Sequence, residues 1–124
     1  MLYSKIIIII LNFLDYFQQR KIINLINNKF LKPIIVFDVG THYGETIKLF
    51  NKKLKLNKIY SFEASPQNYK ILEKNVAKYN SKKIQIYNYG AGEKISENYI
   101  NQTLESSSST INKLNESSKY FKKK

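Results

Sequence analysis

Residues 33–46 read PIIVFDVGTHYGET, and the fold is decided in this stretch. A proline precedes a short unbroken apolar run, which suits a strand of a parallel sheet buried on both faces. The run ends in Gly40, Gly44 follows, and Ile47, Phe50 and Leu54 then recur on one side of an amphipathic segment. The order is strand, tight glycine turn, helix. Downstream, residues 58–62, KIYSF, are a second strand segment that stops at Glu63. Ser65 and Pro66 then supply an N-cap and a first-turn proline, and Tyr69, Leu72, Val76 and Tyr79 recur at intervals of three and four. This predicts a helix over 66–79 with one buried face. A third strand, residues 83–89 (KIQIYNY), runs into Gly90, Ala91 and Gly92. Strands alternating with single helices predict an α/β fold, a Rossmann-like βαβαβ unit with a parallel sheet and right-handed crossovers.

Outside this unit the pattern is weaker. Residues 95–102 read as a short strand or an irregular segment, 105–110 (ESSSST) as a polar loop, and 112–124 as a last helical turn or a frayed end. Upstream, five consecutive isoleucines, Ile6 to Ile10, are continued by Leu11, Phe13 and Leu14. The run is too short to span a bilayer, which takes about 20 apolar residues, and no small-residue cleavage site follows it. At helical spacing Ile7, Ile10, Leu11, Leu14, Phe17, Ile22, Leu25 and Ile26 share a stripe, with Asn12, Gln19, Lys21 and Asn28 facing away. One long helix or two short ones, packed on the domain that follows, is the expectation. Lys5, Arg20, Lys21 and Lys29 are too sparse for a basic face, so membrane attachment is not expected. The chain divides into a helical segment, 1–31, and an α/β domain, 32–124.

Composition narrows the function. The net charge is +12, with 21 Lys plus Arg against 9 Asp plus Glu, which raises the question of a polyanionic partner. Phe, Tyr, Met, Ile, Asn and Lys account for 70 of the 124 residues, and Gly, Ala, Arg and Pro for 10. That contrast follows AT-rich codons, so most of the charge is compositional. Arg20 is the sole arginine, whereas phosphate and guanine readers favour arginine forks. No specific nucleic-acid partner is expected. The absence of cysteine excludes a disulfide framework, a thiolate zinc site and cysteine catalysis, and fits a reducing cytoplasm.

Parallel α/β sheets bind ligands beyond the carboxyl ends of their strands. At the first strand end stand Asp38, Gly40, Thr41, His42 and Gly44. A dinucleotide fingerprint would put glycine at position 42, where His42 stands, so this is a poor pyrophosphate cradle. That disfavours a nicotinamide-dependent dehydrogenase half. At the second strand end Glu63 is placed to accept hydrogen bonds from a ribose diol. A nucleoside without a pyrophosphate is implied, and S-adenosyl-L-methionine (SAM) fits, with a ribose for Glu63 and an ammonium for Asp38. His42 is the sole histidine and a candidate general base, but its place in the turn suits packing or a cofactor contact better than catalysis. Tyr43 and Phe62 read as packing residues rather than adenine stackers.

VFDVGTHYGET, IYSFEASPQNYKIL and IQIYNYGAGEK together resemble the N-terminal half of FkbM-type SAM-dependent methyltransferases. The first resembles that family's D-x-G-A-N-x-G turn, with Thr41 and His42 where Ala and Asn are commoner. The second resembles its F-E-P-x-x-x-N-Y-x-x-L segment, with Ala64 in place of proline and Glu63 matching the ribose-binding acid. The resemblance covers residues 34–109. It implies a class I methyltransferase sheet, SAM as cofactor, cofactor contacts at Asp38, Gly40, Thr41, His42, Gly44, Glu63 and Ala64, and methyl transfer to a hydroxyl of a sugar, polysaccharide or natural product. The family's later acidic strand motif would lie beyond residue 124. A fold cut short in this way, inactive alone and completed by the other half or by a second copy, is the expectation, with the first strand left with a free edge and an uncovered apolar face.

Overall fold

The structure, a computed structural model, describes residues 2–97 and 99–101. The elements are α1 (Leu2–Lys29), β1 (Ile34–Val39), α2 (Glu45–Lys53), β2 (Leu56–Phe62), α3 (Pro66–Ala77) and β3 (Ile84–Tyr87). The strands form one parallel sheet in the order β1-β2-β3, with Asp38 opposite Ser61 and Phe62 opposite Tyr87. The predicted βαβαβ order is therefore the observed one. β1 lies at the edge, with no strand beyond it among the described residues.

Local chemistry explains the boundaries. α3 begins where the Ser65 hydroxyl accepts a hydrogen bond from the Asn68 amide and Pro66 fills the first turn. α2 starts at Gly44 without a side-chain cap; Glu45 at its start and Lys52 and Lys53 at its end complement the helix dipole. α3 is tied to the sheet by the Tyr69 hydroxyl, 3.5 Å from the Ile86 carbonyl oxygen. Burial first, and the charge of Glu73 second, hold this hydroxyl above the ordinary tyrosine pKa, so it stays protonated and able to donate.

The core lies on one face of the sheet. Ile47 of α2, Ile59 of β2 and Leu72 of α3 are fully buried there, joined by Leu54 and Leu56. On the other face Ile35, Phe37 and Val39 of β1 are exposed, Phe37 stacks on Tyr60 at 5.2 Å and Phe62 on Tyr87 at 5.3 Å. The expectation of a strand buried on both faces is corrected here, because α2 and α3 both cover the same face and β1 buries only alternate side chains. The uncovered apolar face and free edge expected for this strand are present.

α1 is one continuous helix, but its predicted packing is also corrected. Of the proposed stripe, Ile7, Ile10, Leu11, Leu14, Phe17, Ile22 and Leu25 are exposed. Contact with the core comes through Ile23 and Ile26 near the helix end, and Asn27 donates a hydrogen bond to the Lys53 carbonyl at 3.1 Å. The core contacts of α1 are thus confined to its last two turns. Residues 95–97 form no regular strand, and Ile95 is fully exposed. The predicted loop at 105–110 and the segment 112–124 lie outside the described residues.

Ile59→Ala removes buried methyl groups between two helices and is expected to cost about 2–5 kcal/mol. Phe37→Ala on the bare face is expected to cost less than about 1 kcal/mol. Urea midpoints of the two variants check the difference; equal losses would mean that the second face is covered.

Candidate functional site

Seven residues singled out from sequence are Asp38, Gly40, Thr41, His42, Gly44, Glu63 and Ala64, and all of them fall at the carboxyl end of the sheet. After β1 the chain hooks over β2: the amides of Gly40 and Thr41 both donate to the Phe62 carbonyl, at 2.9 and 3.2 Å. The turn then closes through the Gly44 amide on the Thr41 carbonyl at 2.9 Å. Three residues of this turn are left-handed, Gly40 (φ 80), His42 (φ 52) and Gly44 (φ 92).

The two glycines do different work. A Cβ on Gly44 would come 2.9 Å from Leu72 Cδ1 and within 3.8 Å of Ile47 and Val76, so Gly44 lets the start of α2 seat against α3. A Cβ on Gly40 would meet nothing within 4 Å, which leaves the backbone there open to a ligand. Gly44 thus closes onto α3 as well as onto its own helix.

Glu63 organises the site. It is 7% exposed, and both carboxylate oxygens accept hydrogen bonds from the protein. Oε2 accepts from the His42 amide at 2.9 Å, and Oε1 from the Ser65 amide at 2.9 Å and from Asn68 Nδ2 at 3.4 Å. One carboxylate thus joins the turn after β1 to the turn after β2. Since a carboxylate oxygen has two acceptor directions, Oε2 keeps one for a further donor, and a diol held by both oxygens would have to displace protein donors. The loop is braced from behind by Asn88, whose Nδ2 donates to the Glu63 and Ala64 carbonyls at 2.8 and 3.3 Å. A Cβ on Gly90 would come 3.3 Å from the Ala64 Cβ.

Three polar atoms here are buried without a hydrogen-bond partner: Asp38 Oδ2, Thr41 Oγ1 and Ser61 Oγ. Asp38 and Ser61 are register partners, and Thr41 follows in the same turn. An unsatisfied buried polar group costs about 1–3 kcal/mol, and more when charged, so this cluster suits a ligand that supplies donors. His42 stacks on Tyr43 with ring centroids 3.6 Å apart, and its Nδ1 lies 3.6 Å from Glu45 Oε1, an ion pair only when the ring is protonated. Tyr43 is further anchored by Asn75 Nδ2, which donates to its carbonyl at 2.9 Å. The Tyr43 ring lies on His42 and the Phe62 ring on Tyr87. Among the described residues no group of three acids or histidines could hold a metal ion.

Asn68, Asn88 and Ser61 were not assigned from sequence. Asn68 could have been found, since it is the Asn of the quoted N-Y pair five residues after Glu63; Asn88 and Ser61 carry no pattern of their own.

No protein-family model matches the sequence, and no curated protein matches it significantly. Several solved structures are similar to it. A provisionally assigned RNA methyltransferase from Pyrococcus horikoshii is 12% identical over 59% of this chain and 37% of its own, with a TM-score of 0.49. The YcgJ protein of Bacillus subtilis is 13% identical over 61% of this chain and 32% of its own, with a TM-score of 0.45. A ribosomal protein L11 methylase from Lactobacillus delbrueckii subsp. bulgaricus is 24% identical over 57% and 37%, with a TM-score of 0.44. The chain spans about a third of the length of these proteins.

The glycine geometry gives a two-variant test. Gly40→Ala meets backbone strain alone and is expected to cost about 1 kcal/mol. Gly44→Ala adds a clash with a fully buried leucine and is expected to cost about 2–4 kcal/mol, read as midpoint shifts on chemical denaturation.

Proposed function

We propose that the carboxyl end of this sheet is a SAM site and that the chain is part of a SAM-dependent methyltransferase. The observation that carries the reading is the buried, unpartnered Asp38 Oδ2 beside the open backbone of Gly40. An ammonium offers that oxygen a charge-assisted hydrogen bond. The residues fit the cofactor in their donor and acceptor chemistry. Asp38 would hold the amino group, and the remaining acceptor direction of Glu63 Oε2 would take one ribose hydroxyl. Thr41 Oγ1 is a further hydrogen-bonding group in the same turn. When bound, SAM supplies an electrophilic sulfonium methyl.

The rest is positioning. Glu63 fixes the turn through the His42 amide, so the ribose partner and the turn that carries Asp38 are held by one group, and that order is established before any ligand arrives. His42 is turned toward Tyr43 and Glu45, which supports a packing role in the turn rather than proton transfer. The resemblance of the three motifs to FkbM-type enzymes supports a hydroxyl of a sugar, polysaccharide or natural product as acceptor. The cysteine-free composition suits a cytoplasmic setting.

Asp38→Asn keeps the shape of the side chain and removes its charge. Calorimetric titration of the full chain with SAM is expected to show binding that this substitution weakens about 10–100-fold, the equivalent of about 1.5–3 kcal/mol for a charge-assisted hydrogen bond. Thermal stability is expected to stay level or rise, since a buried acceptor without a partner is replaced by an amide that can also donate. Lack of SAM binding by the unaltered chain, or equal affinity of the variant, would defeat the assignment.

A further inference from the structure

A cleft of about 380 Å³ lies between α1 and α2, away from the carboxyl end of the sheet. Its deepest lining residues are Ile23, 7% exposed, and the half-buried Leu49, both of which reach the hydrophobic core. Tyr16, Arg20 and Asn24 follow one another at intervals of four along the α1 wall, and Lys53 stands four residues after Leu49 on the α2 wall. Gln19 completes the lining, so every polar side chain of the cleft can donate a hydrogen bond. Asn27 Nδ2 donates to the Lys53 carbonyl at 3.1 Å and ties the two walls together. Two cations 33 positions apart in sequence thereby line one cleft.

No acid lines it. Asp15 projects about 110° round α1 from the centre of the lining residues, and Glu45 stands about 12 Å along α2 from Lys53. Among the described residues no carboxylate lies within ion-pair distance of Arg20 or Lys53. The arginine is the informative member. The compositional bias that fills the chain with lysine runs against arginine, yet the sole arginine stands in this cleft. A guanidinium presents parallel donors to two oxygens of one anion, and an ammonium beside it adds a point charge.

We infer that this cleft binds a small organic phosphate monoester, with the phosphate between Arg20 and Lys53 and the organic part against Ile23, Leu49 and the Tyr16 ring. Two cations without a lining acid match a dianion better than a single carboxylate. The apolar depth selects an organic part, and the volume, near the lower end of the range of about 300–1,000 Å³ for ligand sites, selects a small one. The cleft reaches Lys53 at the end of α2, whereas the turn of Gly40 and Gly44 precedes the start of that helix. It is therefore separate from the proposed cofactor site and does not depend on that reading.

Because Arg20 is the sole arginine, its Nε–H gives a single signal in a nitrogen-correlated NMR spectrum of the labelled full chain. Phenyl phosphate is expected to shift that signal along a saturating curve, with inorganic phosphate at least about threefold weaker for want of the apolar contacts. By calorimetry, Arg20→Lys, which keeps the charge and loses the fork, and Lys53→Gln are each expected to weaken phenyl phosphate about 5–10-fold. Both side chains are exposed, so melting and any SAM binding should be the same in the variants. An unmoved signal, a shift that sodium chloride of equal ionic strength reproduces, equal affinity for the two phosphates, or binding that either substitution leaves intact would each overturn the proposal. So would a short RNA or phosphatidylglycerol vesicles that move the signal at a lower phosphate concentration than phenyl phosphate, since the cleft would then serve a larger partner.

Discussion

A single buried carboxylate sets the geometry of this protein's functional end. Glu63 accepts hydrogen bonds from the His42 amide, the Ser65 amide and Asn68 Nδ2, and so joins two loops that leave adjacent strands. A carboxyl group at that depth is tolerated because three donors converge on it. The donors in turn acquire their positions from it: the left-handed His42 places its amide on Glu63, and the start of α3 is fixed by Ser65 and Asn68 around the same group. The turn of Gly40 and Thr41, which follows Asp38 at the end of β1, is thereby held before any ligand is considered.

This arrangement separates support from recognition. Glu63 has most of its acceptor capacity committed within the protein, whereas Asp38 Oδ2, Thr41 Oγ1 and Ser61 Oγ are buried with none used. The two strand-end acids differ in what surrounds them. One accepts from donors of two loops, and the Oδ2 of the other accepts from none. Gly44 completes the support by letting Leu72 approach to a distance that any side chain would forbid.

The sheet is covered on one face only. α2 and α3 share that face, and the opposite one carries Ile35, Phe37 and Val39 exposed beside stacked aromatic rings. α1 is covered only in part as well. The domain accommodates Ile23 and Ile26 and has nothing to place over the preceding turns. Ile7 and Ile10, which read as core from their spacing, are therefore surface in the folded chain.

Local signals in the sequence determined the βαβαβ order and the position of every element, because each depends on short-range physics. Apolar runs form strands, Ser65 and Pro66 start a helix, and Gly40 and Gly44 permit left-handed backbone. The sequence also placed Asp38 and Glu63 at adjacent strand ends, since strand register follows from the order of the elements. Tertiary structure alone decided what those positions do. Whether Glu63 faces a ligand or its own loops depends on donors contributed by residues up to 21 positions away, and whether an apolar stripe is buried depends on how much facing surface exists. Periodicity records which side of a helix is apolar; the available area opposite it decides whether that side is covered.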